Sequence, residues 1–101
     1  MFTVKYSQYN TVPIRWGCAP PLHESFYLRF KNSLNDEIKN VTCDWIYQNG
    51  YLILQFWVLN ISGTPSLPNE VTLGEVNTHW SFDLLDSSNT VIYSDNLLVY
   101  D

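Results

Sequence analysis

The alternation of apolar and polar side chains, residue by residue, is the feature that most constrains the fold of this chain. In residues 26–31 two phenylalanines and a leucine alternate with a tyrosine, an arginine and a lysine. Residues 79–84 repeat the pattern with a tryptophan, a phenylalanine and a leucine. Successive side chains of a strand point to opposite faces, so this period predicts strands with one buried and one solvent-exposed face. No segment sustains the 3.6-residue period of an amphipathic helix, and we therefore expect an all-β protein.

The turn chemistry sets the number of strands. Asn49 and Gly50 stand between two apolar runs, and this pair is the strongest short-range signal for a β-hairpin. Polar or proline-containing segments at 32–37, 60–69 and 86–89 separate other predicted strands as turns and loops. The spacing predicts seven or eight antiparallel strands in a single β-sandwich, Ig-like or jelly-roll-like, formed by residues 1–101. Its predicted core contains Trp45, Phe56, Phe82 and Leu84.

The predicted strand 51–59 is apolar on both faces. One face carries leucines, a phenylalanine and a valine, and the other carries Tyr51, Ile53, Trp57 and Leu59. A strand of a single sandwich normally keeps one face solvated, so a covering is expected on the second face. Either the loop 60–69 or a partner subunit would provide it. The four residues are our candidate partner interface.

Charge is distributed unevenly along the sequence. The 62 residues that follow Lys39 hold seven carboxylates and neither Lys nor Arg, within a net charge of −5. Such asymmetry favours docking against a basic surface. Nucleic-acid binding is not expected from so acidic a chain, although Arg29, Lys31 and Lys39 would form a small basic patch.

Catalytic constellations are weak. His79, Ser81 and Asp83 share one strand face but stand roughly 6.5–7 Å apart, too far for a nucleophile and its base. No Gly-x-Ser-x-Gly elbow is present. The protein is therefore predicted not to be an enzyme and to need no cofactor.

Metal binding is equally weakly supported by the spacing of its candidate ligands. Cys18, His23, Cys43 and His79 lack the close pairs of structural zinc sites. The turn carboxylates Asp83, Asp86 and Asp95 do not follow the spacing of a calcium loop, and Asp is an ordinary turn residue. No metal site is predicted.

Trp16 is the tryptophan expected at the surface, beside Arg15 and Gly17. A surface indole could stack against a pyranose ring, so Trp16 is the candidate for ligand stacking in a carbohydrate- or host-receptor-binding module. The other three tryptophans are expected to pack in the core or on the strand 51–59.

The N-terminal residues have no apolar segment typical of a signal peptide, and no apolar run is long enough for a bilayer. We expect a protein made in the host cytoplasm, without a membrane partner. Cys18 and Cys43 are expected to remain thiols there.

The C-terminal third carries a resemblance to a known group of proteins. Leu73-Gly74-Glu75, the alternation Trp80-Ser81-Phe82-Asp83-Leu84, Asp86 and a short turn, Val91-Ile92-Tyr93, and a closing Leu97-Leu98-Val99-Tyr100 make up the pattern. It resembles small all-β virion proteins of crAss-like phages, which decorate capsids or belong to tails. Trp80 and Phe82 stand where those proteins usually have tyrosines.

The resemblance implies a non-enzymatic structural or assembly protein, an auxiliary (decoration) protein of a phage capsid or tail, located in the virion. Its implied partners are other virion subunits, such as the major capsid or tail protein, with a homo-oligomer as a further arrangement. The alternative is the carbohydrate- or host-receptor-binding module.

Overall fold

The computed structural model describes residues 2–59, 63–73 and 78–100, which form eight strands. No helix long and apolar enough to cross a membrane occurs among these residues. The strands, in chain order, are β1 (Phe2–Lys5), β2 (Gln8–Arg15), β3 (Phe26–Asn32), β4 (Ile38–Gln48), β5 (Tyr51–Leu59), β6 (Glu70–Thr72), β7 (His79–Leu85) and β8 (Val91–Tyr100).

The strands follow one hydrogen-bonded path, β1-β8-β7-β3-β4-β5-β2, with β6 beside β5. β4 joins the two halves of this path, because its residues 38–43 pair with β3 and its residues 44–48 pair with β5. We call β1, β8, β7, β3 and the first part of β4 sheet A. The second part of β4, with β5, β2 and β6, is sheet B.

The path closes almost completely into a barrel, because its two end strands are consecutive in the chain. Tyr6 donates its N–H to the carbonyl of Tyr100 in sheet A, and Ser7 donates its N–H to the carbonyl of Val58 in sheet B. The chain therefore crosses from one sheet to the other within two residues. Ser7 takes a positive φ of 57° at this crossing.

The prediction of an all-β fold with seven or eight strands is confirmed. The prediction that all strands pair antiparallel is wrong, since β1 runs parallel to β8 and β6 runs parallel to β5. Side-chain alternation reports which face is buried but carries no information on the direction of the neighbouring strand.

The hairpin predicted at Asn49-Gly50 joins β4 to β5. Both residues have positive φ, 53° and 81°, as a type I′ turn requires. The last predicted strand is continuous over ten residues, and its pairing with β7 shifts register between Leu84 and Leu85. Such a bulge bends the strand without ending it.

The core lies between the two sheets. Phe30, fully buried, contacts the rings of Phe56 and Phe82 at centroid distances of 5.8 and 6.2 Å. Phe56, Phe82 and Leu84 are buried as predicted. Trp45 is only half-buried and packs at the edge of the core, so its core assignment is wrong. It lies where β4 leaves β3, and there the barrel is covered by the loop 17–25 instead of by a strand.

Candidate docking face

The outer face of sheet B carries the four predicted interface residues. Tyr51 and Trp57 are 42% and 39% exposed, while Ile53 and Leu59 are half-buried. The intervening side chains of β5, from Leu52 to Val58, are fully buried on the opposite face. The outer face of β5 is thus largely apolar, as its sequence indicates, with Gln55 as the polar residue between Ile53 and Trp57, and it meets solvent.

Strand pairing adds three further apolar side chains to this outer face. Tyr9 pairs with Trp57, and their rings lie 5.4 Å apart. Pro13 on β2 and Ile46 on β4 flank Ile53 from either side. We define the docking face as Tyr9, Pro13, Ile46, Tyr51, Ile53 and Trp57.

Sequence reasoning missed Tyr9, Pro13 and Ile46 as members of this surface. The alternation of β2, in which Val12 and Ile14 are buried, would have placed Tyr9 and Pro13 on the outer side. The register that sets these residues beside β5 is not visible in the alternation.

Asp44 fixes one end of the docking face. Its carboxylate accepts hydrogen bonds from the Tyr9 hydroxyl at 2.6 Å and from Asn69 Nδ2 at 2.8 Å. Partial burial and the hydrogen bond to Asp44 raise the pKa of Tyr9 to about 12. The Tyr9 ring is thus held in one orientation against Trp57 before any partner binds.

The described part of the loop between β5 and β6 lies beside β5. Trp57 donates its N–H to the carbonyl of Asn69, and Thr42 donates its N–H to the carbonyl of Pro68. The segment therefore fills the gap that opens where β4 turns away from β5. It leaves Tyr51 and Ile53 uncovered, so the expectation that this loop covers the outer face is wrong for residues 63–69. Residues 60–62 lie outside the described part of the chain.

The outer face of sheet A is polar, in contrast to that of sheet B. Arg29 and Asp83 form an ion pair at 2.9 Å across β3 and β7, and Ser94 Oγ donates to the same carboxylate at 2.6 Å. The hydrogen bonds from Ser94 and Arg29 lower the pKa of Asp83. Lys31 lies 3.6 Å from Asp36, so cations and carboxylates on this side face one another. Sheet A thus has an ordinary solvated surface.

The carboxylates that follow Lys39 are scattered by the fold. Asp83, Asp86 and Asp95 lie in β7, β8 and the turn between them, in sheet A, whereas Asp44 and Glu70 lie in sheet B, on two of the strands beside β5. The carboxylates that are grouped in the sequence are therefore divided between the two sheets. Glu75 and Asp101 are outside the described residues.

Two of the three residues considered for hydrolysis have other partners. Asp83 is held by Arg29 and Ser94, and the Ser81 hydroxyl donates to the carbonyl of Lys31 at 3.5 Å. With His79, these side chains belong to the polar face of sheet A.

The metal candidates are likewise dispersed within the described residues, where no group of three His, Cys, Asp or Glu side chains comes together. Asp86 accepts from the N–H groups of Ser88 and Thr90 and closes its own turn. Cys18 is exposed and Cys43 is buried, both as free thiols.

Trp16 is half-buried and packs against the core, so the expectation of a free surface indole is wrong. Its carbonyl accepts from the Tyr47 hydroxyl at 3.0 Å, which ties the end of β2 to β4. Tyr9 and Trp57 form the exposed aromatic pair instead.

Comparison of the chain with protein-family models, with curated proteins and with solved structures finds no match. The geometry of the docking face and the sequence resemblance are thus the grounds for assigning a function.

Proposed function

We propose that this protein is a non-enzymatic assembly protein that binds another protein subunit through the docking face. The observation that carries the proposal is the difference between the two outer faces. The outer face of sheet A is polar at its centre, where Arg29 pairs with Asp83, and its exposed apolar residues Ile38, Val91 and Tyr100 stand at strand ends. Sheet B instead presents exposed aromatic and aliphatic side chains on three neighbouring strands, around Gln55. Adjacent exposed apolar side chains of this kind are typical of interaction surfaces.

The composition of the docking face suits a protein partner. Tyrosine and tryptophan are enriched among the residues that dominate binding energy, and Tyr51 and Trp57 stand at the two ends of this surface. They are six positions apart along β5, a distance of roughly 20 Å. The face is therefore long enough to receive several side chains of a partner. Asp44, beside Trp57, favours a basic group opposite it and would set the register of docking.

The resemblance of residues 73–100 to phage virion proteins supports a capsid or tail subunit as the partner. In that setting the protein is an auxiliary component that is made in the host cytoplasm and attaches to the assembled particle. A second copy of this chain is the other protein that the face could bind, and the measured mass in solution tests it.

Site-specific photo-crosslinking tests the proposal directly. The crosslinking amino acid benzoylphenylalanine replaces Tyr51 in one sample and Lys31, on the outer face of sheet A, in the control. Each sample is irradiated with particles of the phage that encodes the chain. Crosslinks from position 51 to one virion subunit, with few from position 31, are expected. Equal crosslinking from both positions, or none from position 51, would contradict the proposal.

Replacement of Trp57 by Asp is expected to abolish assembly. An aromatic residue that anchors an interface contributes about 2 kcal/mol or more, equivalent to roughly a thirty-fold loss of affinity. Trp57 is partly exposed, so the variant should fold, as circular dichroism would confirm. Ser81→Asp, an exposed change on sheet A, is the matched control and should bind normally. A folded Trp57→Asp variant that still binds the particle would refute the role of this face.

A carbohydrate- or host-receptor-binding function is the second candidate. The exposed Tyr9–Trp57 pair, with the polar groups of Asp44 and Asn69 beside it, is the observation that favours it. A glycan array with the wild type and Trp57→Ala separates the candidates. Glycan binding lost in that variant, without crosslinks to a virion subunit, would select the carbohydrate function.

A further inference from the structure

A groove runs along one edge of β4 and adjoins the docking face, since Ile46 of that face and Asp44 at its end also line the groove. It encloses 630 Å³ between two walls, the loop 17–25 on one side and residues 42–47 of β4 on the other. Six consecutive residues of a strand line it, although alternate side chains point to opposite faces. Because residues from both faces of β4 line it, the groove follows the edge of this strand and not one of its faces.

That edge of β4 has no strand beside it in the described part of the chain. β3 pairs with β4 only as far as Cys43, and beyond this residue β4 pairs with β5 along its other edge. Thr42 directs its N–H to Pro68, on the β5 side. Because the direction alternates along a strand, the N–H and C=O groups of Trp45 and Tyr47 point to the open edge.

The loop wall offers apolar contact to an incoming strand. Leu22 is 96% exposed and stands in this wall with Ala19 and Pro20. Trp45 donates Nε1–H to the carbonyl of Glu24 at 2.8 Å, which fixes the loop relative to β4 and keeps the groove open. A leucine left almost entirely in water at the lip of a groove is well placed to cover a bound side chain.

The groove is also acidic. Glu24 and Asp44 line it, and its lining residues include no Lys or Arg. Glu24 accepts hydrogen bonds from the N–H groups of Ser25 and Ser87, and the hydrogen bond with Ser87 lowers its pKa. The lowered pKa favours the charged form of Glu24, and with two carboxylates and no cation in its lining the groove selects positive charge.

We propose that this groove binds an extended peptide of a partner protein, which adds to sheet B as a strand beside residues 44–48 of β4. Main-chain hydrogen bonds to Trp45 and Tyr47 would supply affinity, as in other complexes formed by strand addition. Alternate side chains would supply specificity. The peptide side chains that face Leu22 are apolar, and the alternate ones, which face Asp44, are Lys or Arg.

A second copy of the chain is disfavoured as the occupant. Pairing two β4 edges about a two-fold axis would bring the Asp44 and Glu24 carboxylates of both copies to one seam, in a protein whose net charge is already −5. Like charges on adjacent strands are destabilising. The proposal can be tested apart from the docking face, because Leu22 lies outside that surface and Trp57 does not line the groove.

The test uses a blocked seven-residue peptide that alternates lysine with valine, a charge-reversed peptide with glutamate in place of lysine, and a lysine peptide methylated on alternate backbone nitrogens. We expect saturable binding of the lysine peptide alone, measured by fluorescence polarisation. Hydrogen exchange at the amides of Trp45 and Tyr47, followed by NMR, should slow at least ten-fold at saturation.

Two leucine variants locate the binding site. Leu22→Asp should weaken binding about ten-fold or more, the loss expected for a leucine that is buried on binding. Leu34→Asp changes a similarly exposed leucine, 90% accessible, in the turn between β3 and β4, and should bind like the wild type. Trp57→Asp should also bind normally, which separates this site from the docking face.

Three results would overturn the proposal. They are equal binding of the charge-reversed or methylated peptide, unchanged exchange at Trp45 and Tyr47, and full affinity in Leu22→Asp. Protection of the same two amides that grows with protein concentration in the absence of peptide, together with the mass of a dimer, would assign the edge to a second copy and also overturn it.

Discussion

The seam between β1 and β2 is closed by a side chain, and its removal gives a well-defined test of the fold. Asn10 on β2 accepts the N–H of Lys5 at 2.9 Å through Oδ1 and donates Nδ2–H to the Lys5 carbonyl at 2.9 Å. Nδ2 also donates to the carbonyl of Gln8 at 3.0 Å. The amide group thus replaces the strand partner that would complete the barrel. Asn10→Ala removes all three hydrogen bonds at once.

The expected loss follows from these contacts. Each hydrogen bond contributes about 0.5–1.5 kcal/mol net, and since Asn10 is half-buried we take the lower part of that range, a total of about 2 kcal/mol. For a domain of this size that loss lowers Tm by roughly 10 °C. Asn10→Asp keeps the acceptor for Lys5 but turns a carboxylate toward two carbonyls. It should therefore cost at least as much at neutral pH and recover partly when acid protonates the carboxyl group.

Thermal and urea denaturation, followed by circular dichroism, measure both variants against Asn96→Ala, an exposed asparagine on β8. The control should change the stability by no more than about 0.5 kcal/mol. If Asn10→Ala proves no less stable than this control, the seam is not stabilised by the Asn10 amide and the reasoning fails.

Three further outcomes are expected. Asp44→Asn should bring the pKa of Tyr9 part of the way from about 12 toward 10.0, because burial is the larger cause of the shift and remains. In the wild type, stability should fall as pH rises from 10 toward 12, since the unfolded tyrosine ionises first. An absorbance titration against Tyr9→Phe measures the pKa, and urea denaturation over the same pH range measures the stability; an unchanged pKa in Asp44→Asn would contradict the Asp44 contact. Gly50→Ala should cost about 1 kcal/mol in urea denaturation, because φ is positive there and a methyl group meets no neighbour within 4 Å; a neutral result would argue against the turn. Trp80→Phe should cost about 1–3 kcal/mol by the same assay, since it leaves the buried Leu73 carbonyl without the 2.7 Å hydrogen bond from Nε1; a loss like that of a surface substitution would show that this bond contributes little.

The strands and the main hairpin were predictable because they depend on neighbouring residues. The period of two in residues 26–31 and 79–84 matches β3 and β7, and the positive φ of Asn49 and Gly50 matches the type I′ turn that an Asn-Gly pair favours. The sequence also showed that β5 carries apolar side chains on both faces, and it thereby identified Tyr51, Ile53, Trp57 and Leu59 as members of the outer face.

The tryptophans show where local reasoning stops. Trp16, predicted at the surface, and Trp45, predicted in the core, are both half-buried and pack against the core. The position of Trp45 depends on the loop 17–25, because its indole N–H binds the carbonyl of Glu24. No period along the chain reports a contact of this kind.

By itself, the sequence determined the all-β class, the buried face of most strands, and the aromatic outer side of β5, since alternation and turn chemistry act between residues adjacent in the chain. Only the tertiary structure decided strand order, direction and register. These set Tyr9 against Trp57, paired Arg29 with Asp83, and scattered carboxylates that are grouped in sequence. They also carried β4 from β3 to β5 and left its edge open beside Leu22. Each of these contacts joins residues far apart in the chain, and their partners are selected by the packing of the whole core.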